Sequence, residues 1–521
     1  MAICSPPETI HKCIEHSFYQ FRLKNCVFGD SSLGALVAAI DKKGRNVVPL
    51  VFSMMKELVH RGNDSHGLST SKFVSISKTF NDLNLDSANS TLAIGYNFSH
   101  ILPRDHPQPF QAGDFSLIFE GRFFPSPNLN ELPEAKQLAI KLTSNPVRSA
   151  EQILEKIEGS YVFILAKSDR LIVGRDVFGV TPLYFAENES LCALASERKA
   201  LWNIGLKNVK SFPPGNLSIV TAEGFSFRSV KKLRMPPIKR VNLETAAQAL
   251  QILLLESTRK RVSDLDKVAV AFSGGVDSSV VACLAKYSGL DVQLITVGLE
   301  DQPEVQFAQE AANDLDLPLN LKLYTKKELE KTLEKVLWLT EESSFVSSSI
   351  AIPFFWTAEN AAKLGYPVLL AGQGADEIFG GYSRYLGEFA QSNDESVRKK
   401  MFDDVVNAYS DNFQRDNQVC AFHGVELRLP YIDSSVVDFS LRLPFHLKIN
   451  SINDNLRKRV LRRVAQNLDI PDFIANKPKK AVQYTTGVTK ALKQIAKNQN
   501  LTLSKYILET FYKIYQNKQK K

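Results

Sequence analysis

Val268-Ala269-Val270-Ala271-Phe272-Ser273-Gly274-Gly275-Val276-Asp277-Ser278-Ser279-Val280-Val281-Ala282-Cys283-Leu284-Ala285 reads as a strand, a glycine-rich turn and a helix. The run ending at Phe272 is short and apolar, as in a buried strand. The run from Val276 has helical length and composition. Two adjacent glycines let the backbone pass close to an anion with no Cβ in the way. The first N–H groups of a helix have no partner inside the helix and point into the turn. Ser273, Ser278 and Ser279 add hydroxyl donors. Asp277 is the unusual member, because a carboxylate repels a phosphate unless a divalent cation lies between them. The turn therefore fits a pyrophosphate carrying magnesium. No Gly-Lys-Ser/Thr follows, so it is not a Walker A loop.

Outward from this turn, 521 residues predict two or three domains at roughly 150 residues each. The chain is 44% hydrophobic and 23% charged, which places it among soluble globular proteins. The net charge of +8 is spread thinly, with one dense basic stretch at Arg457-Lys458-Arg459 and Arg462-Arg463. That stretch reads as a solvated helix face or a polyphosphate-binding edge, and no nucleic acid is expected as partner. Six cysteines without a C-x-x-C pair predict neither a disulfide framework nor a zinc site. Cys192 and Cys283 lie in apolar runs and are expected in the core. No segment reaches the ~18 apolar residues of a membrane helix. The first residues do not form a secretory signal, so a reduced cytoplasm is the expected compartment.

Residues 1–32 show no periodicity and read as an N-terminal extension. Residues 33–40 read as a buried strand and 49–59 as a helix. From 73 to about 230, short apolar runs alternate with turns, interrupted by one helical stretch at 134–142. That pattern predicts an α+β layered domain of antiparallel sheets over 33–233. The segment 234–240 reads as a linker. Over 240–521 strands alternate with helices, which predicts an α/β domain with a doubly wound parallel sheet. From about 385 onward the chain reads as mostly helical.

Several further strings accompany the 273–279 turn: Gly372-Gln373-Gly374-Ala375-Asp376-Glu377-Ile378-Phe379-Gly380-Gly381-Tyr382, Gly424-Val425-Glu426-Leu427-Arg428-Leu429-Pro430-Tyr431-Ile432-Asp433, Lys477-Pro478-Lys479-Lys480, His60-Arg61-Gly62-Asn63-Asp64, and Arg175-Asp176-Val177-Phe178-Gly179-Val180-Thr181-Pro182-Leu183-Tyr184. In order and spacing the chain resembles the asparagine synthetase family of glutamine-dependent amidotransferases, from residue 33 to about 490. The resemblance implies an Ntn-type glutaminase sandwich followed by an ATP pyrophosphatase-type (PP-loop) synthetase. It implies ATP and Mg2+ as cofactors and aspartate and ammonia as substrates, and it admits a homodimer. The implied reaction adenylates the aspartate side-chain carboxylate, after which ammonia displaces AMP.

The residues of the second half fit that reading. Asp277 and Asp376 each follow a predicted strand of one sheet, so their carboxylates converge on the crevice at the strand ends. There they would hold magnesium on the departing pyrophosphate. Lys479 or Lys480 would cover the same phosphates. Ser273, Gly274, Gly275, Ser278 and Ser279 would bind ATP, and Ala271, Val297 and Ala371-Gly372 would line its adenine or ribose pocket. Asp376 or Glu377 alone could instead cap the following helix.

The first half departs from the family. Leu33 stands where the family has its nucleophilic cysteine, and 32 residues precede it. The family's Asn-Gly-Glu loop reads Glu120-Gly121-Arg122, which puts an acid where an oxyanion donor belongs. The family's Ser-Asp-x-Glu stretch has no counterpart near 130–140. Arg61, the family's clamp for the glutamine carboxylate, is retained. Cys26 could replace the nucleophile only after cleavage behind Asn25. The expectation is a half that no longer hydrolyses glutamine, with ammonia free or supplied by a separate glutaminase. In the second half, Gln373 stands where the family commonly has glutamate, and an amide hydrogen-bonds but takes no proton. Two other readings stay open: the same chemistry on another carboxylic acid, as in β-lactam synthetase, and a non-catalytic ATP-binding scaffold.

Overall fold

The computed structural model describes residues 34–70, 73–83, 88–124, 134–142, 145–167, 169–300, 302–478 and 485–519. The 1–32 extension, Cys26, Leu33, Lys479 and Lys480 lie outside the described residues.

The first half is a sandwich of two antiparallel sheets, one of seven strands and one of six. At the centre of the first, Ala35–Asp41 pairs with Leu92–Phe98 on one side and Leu191–Ala195 on the other. In the second, Gly159–Lys167 lies between Phe115–Phe123 and Arg170–Arg175. Side chains alternate across each strand. Leu36, Ala38 and Ile40 therefore face Ile118, Ile164 and Val173 in the layer between the sheets. Val37 and Ala39 face the other way, under the Val48–Glu57 and Arg198–Asn203 helices. The outer face of the second sheet is covered by Glu134–Lys141 and Pro146–Lys156. The sequence pattern shows one helix between the strands; Pro146–Lys156 and Arg198–Asn203 are additional. Pro146 opens its helix and the Asn145 side chain caps it, accepting from Arg148 N.

The second half is built on a five-stranded parallel sheet in the order Leu319–Tyr324, Asp291–Leu299, Lys267–Ala271, Val368–Leu370, Glu426–Arg428. The chain starts in the middle strand, fills one side, then crosses to the other. That reversal opens a crevice between the ends of Lys267–Ala271 and Val368–Leu370. Glu426–Arg428 is a strand inside the stretch expected to be helical; three residues are too few to show an alternating pattern. The layered α+β half and the parallel α/β half are the two fold classes expected. Cys192 and Cys283 are buried as expected.

Residues 230–242 carry no helix or strand. Beside them, buried charges tie the halves together. Arg122, from the first half, donates to Asp105 and to Glu426 at the edge of the parallel sheet, 2.9 Å away. Arg428 continues the chain of pairs to Glu426 at 2.7 Å and Asp264 at 2.6 Å. Glu341 caps the Arg198–Asn203 helix across the same boundary, accepting from Arg198 N and Lys199 N. No described helix is long and apolar enough to cross a membrane.

Removing one partner of a buried ion pair strands the other. Arg122→Ala is expected to cost about 3–5 kcal/mol and to lower the midpoint of thermal unfolding. Arg122→Lys is expected to recover part of it. An unchanged midpoint in Arg122→Ala would show that the network does not bind the halves.

Candidate active site

The Lys267–Ala271 strand leads through Ser273, Gly274 and Gly275 into the Val276–Tyr287 helix. Gly274 has a φ of +67°, where a side chain is strained, and a Cβ there would lie 3.0 Å from the Phe307 ring. Ser278 closes the turn: its Oγ accepts from Ser273 N at 3.2 Å and donates to Gly275 O at 3.1 Å. Gly275 is the N-cap and no side chain caps the helix. Ser279 is buried, and its Oγ has no hydrogen-bond partner among the described residues. The helix start and this hydroxyl make a donor cradle that matches an anion.

The carboxylates of Asp277 and Asp376 meet at one ammonium. Lys458 Nζ lies 2.6 Å from Asp277 Oδ2 and 2.5 Å from Asp376 Oδ1, and its side chain is 0% exposed. Gly372 packs so closely on the other side of Asp277 that an added Cβ would be 3.0 Å from the aspartate's Cβ. Gly381 leaves room for the bridge, since a Cβ there would overlap Asp376 Oδ1 and Lys458 Cε. Arg457 and Lys458 both hold left-handed φ values, 53° and 54°. Asp454 accepts from Leu456 N and Arg457 N, and Arg462 donates to the carbonyls of Leu456, Arg457, Ala475 and Lys477. Only part of the basic stretch is therefore a solvated face: Arg459 is exposed and Arg463 half-buried. Lys458, Arg457 and Arg462 are all buried, because their charges and donors are consumed inside the site. Sequence reasoning missed Lys458; a lone basic residue in a basic run carries no signal of which carboxylate it meets.

Glu377 is buried two residues from the crevice. It accepts from Tyr382 OH at 2.7 Å and from Asn412 Nδ2 at 2.8 Å. Neither Asp376 nor Glu377 caps the Ala375–Phe379 helix, whose N-cap is Gly374. Gln373 is half-buried and donates from Nε2 to Asp416. The 424–433 string packs behind the site: Tyr431 OH donates to Asp277 O at 3.0 Å, and Ile432 fills the space beside Gly374. Ala271 ends the central strand, Val297 lies in the next one, and Ala371 follows Val368–Leu370, where its N donates to Arg428 O at 3.2 Å. Two carboxylates suit magnesium, which takes one or two from the protein and its other ligands from phosphate and water. Among the described residues no group of three or more metal-binding side chains occurs.

In the first half, Arg61 is buried. Its Nε donates to Gly34 O at 3.1 Å and its Nη1 to Glu197 at 3.3 Å. Glu197 also pairs with His60 and Lys199. Glu120 is buried, accepts from Tyr96 OH at 2.7 Å, and is pushed up to about 7 by burial. Arg122 is held by Asp105 and Glu426. Glu120, Arg122, Asp105 and Glu426, together with Arg104 and Glu134, line a cavity of about 50 Å³ beside Gly34.

The asparagine synthase family model matches residues 249–395 and 388–513, and a glutamine amidotransferase domain model matches 96–203. A candidate glutamine-hydrolysing asparagine synthetase of Methanocaldococcus jannaschii is 32% identical over 498 residues, covering 85% of this chain and 92% of the relative. Asparagine synthetase B (glutamine-hydrolysing) of Escherichia coli is 25% identical, covering 67% of this chain and 65% of the relative. Glutamine-hydrolysing asparagine synthetase 1 of Bacillus subtilis is 22% identical, covering 82% and 83%. The chain belongs to the asparagine synthase family.

Burial first, and the neighbouring Asp376 charge next, raise the Glu377 carboxyl from 4.5 to about 7. The fold thus favours its protonated form. The stability contributed by that proton is complete below about pH 4.5 and is lost as pH rises through about 7. Glu377→Gln removes the titration and keeps an acceptor for Tyr382 and Asn412. Its thermal midpoint, relative to the parent protein, is expected to rise between pH 5 and pH 8. A difference that stays flat with pH would contradict the shift.

Proposed function

We propose that this member of the asparagine synthase family is an AMP-forming ligase that activates the side-chain carboxylate of aspartate with ATP and amidates it with ammonia. The observation that carries the proposal is the meeting of Asp277, a member of the Ser273–Ser279 turn, with Asp376 at Lys458. An aspartate oxygen attacks the α-phosphorus of ATP, the bond to the β-phosphate breaks, and its electron pair leaves with pyrophosphate. The ammonia nitrogen then attacks the acyl carbon. The bond to the AMP oxygen breaks, the electron pair leaves with AMP, and the nitrogen's surplus proton passes to solvent.

Each residue has a task in this reading. Gly274, Gly275, Ser273, Ser278 and Ser279 surround the departing pyrophosphate with donors. Ala271, Val297, Ala371 and Gly372 line the nucleotide at the strand ends. Asp277 and Asp376 hold Mg2+, which when bound neutralises charge developing on the leaving phosphates. Lys458 adds a fixed positive charge between the two carboxylates. A domain division at 33–233 and 240–521 fits these tasks, with one activity in the second part.

Ammonia is proposed as the nitrogen donor because Arg61, the clamp the family uses for glutamine, is engaged by other groups among the described residues. Arg61 is committed to Gly34 O and Glu197, and Glu120 places a carboxyl where a donor would be needed. One missing oxyanion donor costs ~10²–10³ in rate. A separate glutaminase would serve as an ammonia source.

Pyrophosphate release in the presence of ATP, magnesium, aspartate and ammonium chloride tests the reading. Release is expected, and release only with another carboxylic acid would reassign the substrate. No release with any acid would contradict the ligase. Asp277→Ala and Lys458→Met are each expected to cut the rate at least ~10²-fold. Glutamine without ammonia is expected to yield no glutamate; glutamate formation would overturn the assignment of the first half.

A further inference from the structure

Phe307 lies on the Pro303–Asp314 helix, which packs against the Ser273–Ser279 turn. A Cβ on Gly274 would come within 3.0 Å of the Phe307 ring and 3.2 Å of Ala308 Cα. The Lys477 ammonium sits over the same ring, its Nζ 3.2 Å from the centroid. Phe473 meets the ring edge-on, with centroids 5.6 Å apart and an interplanar angle of 67°. The ring thus joins the Gly274 end of the turn to the 473–477 segment. At the other end of the turn, Lys458 meets Asp277.

Arg462 keeps the two lysine-bearing segments in register. Its Nε donates to Arg457 O at 2.7 Å and its Nη2 to Leu456 O, beside Lys458. Its Nη1 donates to Ala475 O at 2.5 Å and to Lys477 O at 3.0 Å. One buried planar fork therefore sets the backbone at both lysines. The head of Lys477 is placed by the ring. An aromatic face attracts an ammonium through its quadrupole and carries no net charge. Phe307 thus fixes where the ammonium stands without cancelling its charge. The turn beside it offers N–H and O–H donors, which match the oxygens of an anion. Of the groups in the proposed reaction, pyrophosphate is the most highly charged anion and the one the turn receives.

We propose that Lys477 is a binding residue for pyrophosphate, its ammonium held at the Gly274 end of the turn by Phe307, which acts as a positioning residue. The proposal rests on the reading of the turn as a magnesium pyrophosphate site. It adds a second cation to that site, at the opposite end from Lys458, and a ring that sets its place.

The test is direct binding of magnesium pyrophosphate to the full chain, with AMP binding as the control. It needs no acyl substrate, so a failure of the aspartate assignment leaves it intact. Lys477→Met is expected to weaken pyrophosphate binding at least ~10-fold, the loss of one charge-assisted hydrogen bond. AMP binding is expected to stay within about twofold. Lys477→Arg keeps the charge and is expected within about threefold of the parent. Phe307→Leu keeps an apolar side chain against Gly274, removes the π face, and is expected to cost about threefold. In the Lys477→Met background the same change is expected to cost nothing further, because the ring acts through the ammonium. Lys477 is half-buried, and its variants keep the test valid if Phe307→Leu folds poorly. An unchanged pyrophosphate affinity in Lys477→Met would overturn the proposal. So would equal losses in Lys477→Arg and Lys477→Met, which would assign the effect to packing. An equal cost of Phe307→Leu in both backgrounds would overturn the positioning role of the ring. A parent protein that binds no magnesium pyrophosphate would contradict the reading of the turn itself, and this proposal with it.

Discussion

A buried ammonium between two carboxylates governs the architecture of the second half. Lys458 is removed from water completely, and such a cation is tolerated only when it is paired and hydrogen-bonded. Its partners reach it from the connections after two neighbouring strands, Lys267–Ala271 and Val368–Leu370. The bridge therefore fixes the crevice at the point where the sheet's order reverses. Around it the backbone adopts strained forms: two consecutive non-glycine residues in the left-handed region, at about 1–2 kcal/mol each, and glycines where any side chain would collide. The two carboxylates and their ammonium stand beside a turn built of N–H and O–H donors. A phosphate approaching that turn is stabilised when a divalent cation accompanies it, which links the ion bridge to the proposed metal.

The first half makes sense as a support for this site. Two of its buried charges reach across the boundary: Arg122 holds Glu426 on the edge strand, and Lys199 lies 3.7 Å from Glu341. Glu426–Arg428 in turn carries the segment that places Tyr431 and Ile432 under the phosphate turn. On the proposed reading, a sandwich that has given up glutamine chemistry persists because the synthetase half is packed and charge-balanced against it.

What the sequence disclosed follows from the range of the interactions. The Ser273–Ser279 turn was legible because its chemistry is local: strand, glycines, hydroxyls and helix start are contiguous. The partnership of Asp277 with Asp376 was legible one step further, since a parallel sheet sends the ends of neighbouring strands to one place. Lys458 was not legible, because the sequence shows five basic residues within seven positions and nothing that tells the buried one from a solvated one. The Glu426–Arg428 strand was too short to display a period, although the string containing it carried the family resemblance. Arg61 was read as a clamp from the family resemblance, and the buried Glu197 that engages it lies 136 residues away.

The claim at the centre of this account is that a carboxylate attacks the α-phosphorus of ATP over the Asp277–Lys458–Asp376 bridge. Aspartate labelled with oxygen-18 in its side-chain carboxylate tests it most directly, in a turnover with ATP, magnesium and ammonia followed by mass analysis of the phosphate products. Adenylation predicts one labelled oxygen in AMP and none in pyrophosphate. Label in pyrophosphate or inorganic phosphate, or AMP without label, would contradict it.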